Sequence, residues 1–148
     1  MGLDMHLNAE RYLWSSDAPD GALKQKIAAL LGTPGKMEVT GITCEAMYWR
    51  KANAIHNWFV KNVQGGVDEC QRADVSKEQL GELVDLCKQV LANKELAKEL
   101  LPTQAGFFFG NTEFDDWYFE SLENTVAGIE PLLSDEYTQW DFYYRSSW

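Results

Sequence analysis

Leu3, Met5, Leu7 and Ala9 alternate with Asp4, His6, Asn8 and Glu10 at the start of the chain. A period of two predicts a strand with one buried and one polar face. Ser15 to Gly21 reads as a turn. Ala22 to Leu31 then predicts a short helix, with Asp20 as its N-cap and Gly32, Pro34 and Gly35 as its stop. Met37 and Val39 hold one strand phase, while Ile42, Cys44, Ala46 and Tyr48 hold the other. Gly41 sits where the phase changes, so Lys36 to Trp49 is expected to form one long strand bent by a bulge there, or a hairpin pair. Ala52, Ile55, Phe59 and Val63 recur at helical spacing, and Gly65-Gly66 closes that helix.

Ser76-Lys77-Glu78-Gln79 has the form of a capping box, Ser at the N-cap and Gln three residues on. Leu80, Leu83, Val84, Cys87, Val90 and Leu91 make the amphipathic stripe behind it. A short helical continuation, Lys94 to Leu100, stops before Pro102. Phe107-Phe108-Phe109, set between Gly106 and Gly110, reads as a short buried strand or a packed loop. Three adjacent Phe on a strand cannot share one face, so at least one must meet a helix layer, a ligand or another subunit. From Asp115, the spacing of Tyr118, Leu122, Val126, Ile129 and Leu133 predicts a helix with two carboxylates at its positive end. Trp140 to Arg145 is expected to be a terminal strand. The order β-α-β-α-α-β-α-β points to one α+β domain over 1–148, with a mixed or antiparallel sheet of three to five strands and about four helices packed on it.

Charge changes the picture. The 148 residues carry a formal net charge of −10, and the imbalance lies almost wholly in the second half. Residues 1–74 hold eight Lys/Arg against nine Asp/Glu, whereas 75–148 hold five against fourteen. From Glu99 to Tyr144 there are ten carboxylates and no Lys or Arg. Such a field argues against direct nucleic-acid binding and favours a basic partner, or else forms a solvated face. No apolar run reaches the roughly 18 residues of a membrane span and no signal-peptide pattern opens the chain, so a cytoplasmic protein with no membrane role is expected. Cys44, Cys70 and Cys87 have neither disulfide-framework nor zinc-site spacing, and reduced thiols are expected, with Cys87 in the core.

The densest candidate chemistry lies at the predicted junction between the second strand and second helix: Trp49, Arg50, Lys51, Asn53, His56 and Trp58. Two cations beside exposed helix amides would suit an anion, and aromatic walls would suit a nucleobase. The competing reading packs Trp49 and Trp58 in the core and leaves Arg50 and Lys51 in water. His56 is the general base if the chain is an enzyme, yet no neighbouring Ser or Cys completes a dyad, so a hydrogen-bonded structural role competes. His6 with Asp4 is too sparse a pattern for a metal site, and neither metal nor cofactor is expected. Asp141, Tyr143 and Arg145 share one face of the terminal strand; Tyr143 and Arg145 are assigned to the same prospective pocket.

Met1-Gly2-Leu3-Asp4-Met5, the run from Trp49 to His56, Leu101-Pro102-Thr103 with Gly106-Phe107-Phe108-Phe109-Gly110, and Asp141-Phe142-Tyr143-Tyr144 together resemble small phage- and prophage-encoded proteins of uncharacterised function. The resemblance spans most of the chain and carries no catalytic residues with it. It implies a compact phage accessory protein made in a bacterial cytoplasm, of the kind that disables something in the host. The reading that follows is a non-enzymatic binding protein, such as a counter-defence factor. It would either dock its acidic half on a host protein or sequester a nucleotide-like ligand. The alternatives are a small enzyme acting through His56 on a nucleotide or phosphate-bearing substrate, and a structural or assembly protein, homo-oligomeric through the Phe run.

Overall fold

Alternation at the start of the chain does what a period of two requires. In the computed structural model, which describes residues 2–14, 18–32 and 37–148, β1 (Asp4–Tyr12) buries Met5, Leu7 and Ala9 and turns Asp4, His6, Asn8 and Glu10 the other way. The sheet is antiparallel, with β2 (Gly41–Arg50) and β4 (Asp141–Ser147) on either side of β1 and a three-residue β3 (Ala73–Val75) outside β4. β2 is therefore a long open edge.

Helices α2 (Asn53–Asn62), α3 (Lys77–Ala92) and α5 (Asp116–Ile129) share one apolar cluster with the inner face of the sheet. Phe59 of α2 stacks on Tyr144 of β4, with ring centroids 4.0 Å apart and planes nearly parallel, and Trp49 and Trp58 meet Phe59 edge-on. The Ser76 capping box forms in full, and Leu80, Leu83, Val84, Cys87 and Val90 are buried behind it. A single helical turn, α4 (Ala97–Leu100), ends before Pro102. The fold is α+β, as the spacing predicts.

Several expectations differ from the structure. The first helix, α1 (Ala18–Leu31), starts before Asp20, so Asp20 is not its N-cap; its carboxylate accepts instead from Arg11 (2.6 Å) and the Trp14 amide (3.2 Å). Gly32, with φ +59, follows the helix, whereas Pro34 and Gly35 lie outside the described residues. The β1–β2 register shifts between Leu7 and Asn8, whose partners are Met47 and Glu45, so the bulge is at Ala46 rather than Gly41. Gly41 simply pairs with Tyr12, and β2 begins there, not at Lys36. Of the two readings of the Phe run, the loop holds, as a turn; the strand order gains β3, and α5 stops at Ile129, leaving Leu133 in a following 3-10 turn.

Candidate functional site

α2 follows β2 almost directly, and the turn between them sets the site. Lys51 takes a left-handed φ of +55, and its amide still donates to the Leu3 carbonyl at 2.8 Å. No side chain caps α2. Asn53 is committed elsewhere: its Nδ2 donates to the carbonyls of Phe109 (3.0 Å) and Asn111 (2.8 Å), and its Oδ1 accepts from the Gln104 amide (3.0 Å). That clamp holds the 104–111 loop against the start of α2. The loop folds back because a Cβ on Gly106 would come within 2.6 Å of the Phe109 ring, and because Gly110 has φ +85. Between loop, turn and the first turns of α5 lies a hollow of about 300 Å³, lined by Lys51, Asn53, Thr103, Asn111, Trp117 and Ser121 among others.

A second groove, about 210 Å³, lies on the other side of Trp117, between the edge of β2 and α5. Met47, Trp49 and Arg50 form its strand wall, and Trp117, Glu120, Ser121 and Asn124 its helix wall. α5 sits close to the strand here. Trp49 Nε1 donates to Thr125 Oγ1 at 2.8 Å, and a Cβ on Gly128 would fall 2.3 Å from the Met47 sulfur. Trp117 is 56% exposed, so a large apolar ring stands in water between the two hollows.

The electrostatics of α5 are one-sided. Asp115 is its N-cap, and the hydrogen bond it accepts from the Tyr118 amide at 3.0 Å, foremost among its partners, holds that carboxyl below the usual range. Asp116, Glu120 and Glu123 then recur four and three residues apart, all exposed, on one side of the helix. The helix carries no Lys or Arg. Among the described residues, Glu130 with Lys88 is the one ion pair made by the ten carboxylates from Glu99 to Tyr144.

The residues singled out in the sequence divide. Trp49, Arg50, Lys51 and Asn53 line the two hollows, with Asn53 acting as a brace. Trp58 is buried and faces a separate shallow hollow beside Pro102. His56 is fully buried, its Nδ1 hydrogen-bonded to the Tyr144 hydroxyl (2.7 Å) and its Nε2 to Asp68 (2.9 Å), which also accepts from the Trp148 indole. Burial holds the Tyr144 phenol well above its ordinary range. Tyr143 and Arg145 lie on the opposite, open face of the sheet, where Arg72 stacks over the Tyr143 ring at 3.7 Å. These eight residues therefore do not meet in one pocket. His6 is on the open face too, bonded to Glu45, whereas His56 is buried beside Tyr144 under the other face.

Sequence reasoning missed Trp117, Glu120 and Asn124. The signal was present: if Tyr118, Leu122 and Val126 face the core, Trp117, Glu120 and Asn124 fall toward solvent, and a tryptophan on a helix's polar side stands out. Of the Phe run, Phe109 is buried, Phe108 partly so, and Phe107 is 95% exposed. Among the described residues no three His, Cys, Asp or Glu gather as a metal site, and no helix is long and apolar enough to cross a membrane. The arrangement can hold an apolar side chain against Trp117 and attract cations to α5. No family model, curated protein or solved structure matches the chain.

Proposed function

We propose that the chain is a non-enzymatic accessory binding protein of phage origin, working in the bacterial cytoplasm in counter-defence, and that it docks the α5 face onto a basic surface of a host protein. One observation carries this reading: Trp117 stands exposed beside a row of carboxylates, Asp116, Glu120 and Glu123, that make no ion pair among the described residues, on a helix with no Lys or Arg. An exposed aromatic supplies the apolar anchor and the row supplies steering and register. The test is capture from host lysate by wild type and by the triple variant Asp116→Asn, Glu120→Gln, Glu123→Gln. A partner held by the wild type at low salt, released as salt rises and absent from the variant supports docking. A partner held equally by both proteins overturns it.

The small-ligand version has its own observation. The uncapped start of α2 and Lys51 open on the hollow whose far wall is Trp117, which suits a phosphate and a stacked base of a nucleotide-like ligand. Glu113 and Asp115 line the same hollow, which favours a ligand of low charge over a triphosphate. A thermal upshift with a nucleoside monophosphate, lost in Trp117→Ala, supports this version; no shift with any nucleotide at about 100 times a micromolar dissociation constant removes it.

A further inference from the structure

The docking reading leaves open how a partner chain would sit, and the edge of β2 answers it. Lys51 donates to Leu3, and the register continues as Trp49 with Met5 and Met47 with Leu7. In an antiparallel ladder the residues that bond inward alternate with residues whose amide and carbonyl point outward. Tyr48 and Arg50 are therefore the outward residues, and among the described residues no loop, turn or side chain bonds to their backbone groups. The bulge at Ala46 interrupts the edge beyond them, so the usable stretch is Met47–Arg50.

That stretch runs beside the groove described above. A strand laid along it would place one side chain between Met47 and Trp117 and the alternate ones toward solvent. On the helix side it would pass Glu120, which Asp116 and Glu123 flank along α5. Arg50 is the single cation lining the groove. Self-pairing of two β2 edges would bring two acidic α5 faces together in a chain of net charge −10, so a second copy is the wrong occupant.

We infer that β2 receives an extended partner segment as an added strand, with one apolar residue in the groove beside Trp117 and Lys or Arg flanking it. This rests on the docking reading and specifies it. The main-chain bonds would give affinity, the groove and the carboxylates specificity.

The probe is a fluorescent eight-residue peptide in which Lys alternates with Val or Leu, titrated into the full chain. Two analogues carry backbone N-methyl groups, one on the odd and one on the even positions. The inference predicts saturable binding, a loss of about tenfold or more for one analogue and little for the other. It also predicts shifts of the Tyr48 and Arg50 amide resonances on binding. Trp117→Ala should weaken the parent peptide by about tenfold with an unchanged melting temperature. Equal binding of both analogues overturns the added strand while leaving salt-sensitive docking intact. So does absence of binding up to about 1 mM in a protein that still captures its host partner by the α5 charges.

Discussion

Asn53 shows how a polar residue can look like a ligand contact and act as a brace. Its amide is buried and bonded on both ends to the 104–111 loop. Asn53→Ala leaves two carbonyls and an amide without partners and is expected to cost about 3 kcal/mol, read as a lower denaturant midpoint, with faster amide exchange confined to the loop. Gly106 belongs to the same clamp: Gly106→Ala drives its Cβ into the Phe109 ring and should destabilise by about 1–3 kcal/mol in the same assay. Cys87 gives a pH signature. Burial pushes its thiol up to about 12, so the folded chain holds a proton that the unfolded chain releases above about 9. That stability is fully present below the unfolded value and drains as pH rises toward the folded one, at up to about 1.4 kcal/mol per pH unit. Chemical denaturation across that window should show a shallower loss for Cys87→Ala, and thiol labelling of the native protein should reach exposed Cys44 well before Cys87.

At the scale of elements, what could be read in advance was whatever local chemistry alone decides. The capping box at Ser76 and the β1 alternation were legible because helix start and strand face are set within a few residues. Ser76→Ala should cost about 1 kcal/mol in unfolding, with α3 fraying first by hydrogen exchange. Ala73–Val75 was not legible, since three residues show no period and the strand exists through its pairing with Tyr144, Tyr143 and Phe142. The bulge was misplaced for a related reason: Gly41 marks a change of phase in the sequence, but where an extra residue is absorbed depends on the partner strand. The site was half legible. Trp49, Arg50, Lys51 and Asn53 meet because a strand runs into a helix through them, whereas Tyr143 and Arg145 were separated by the sheet itself. His56 finds Asp68 and Tyr144 across distances in sequence that no local pattern reports.

Over the whole molecule, the two faces of the sheet carry different balances of charge. The open face ties its polar and charged groups to one another, through Tyr48 with Asp4, His6 with Glu45 and Arg72 with Glu10. On the helix side the α5 carboxylates around an exposed tryptophan make no ion pair among the described residues. Like charges held at that spacing repel one another, so their cost is repaid only when cations arrive. In the proposed docking, recognition is electrostatic in approach and anchored on Trp117. Its most direct measurement is the affinity of a captured host partner as a function of salt, for wild type and for the Asp116→Asn, Glu120→Gln, Glu123→Gln variant. Docking through the α5 carboxylates gives a steep fall with salt for the wild type and a weak, nearly flat response for the variant. A wild-type affinity that ignores salt, or a variant that keeps the wild-type slope, would contradict it.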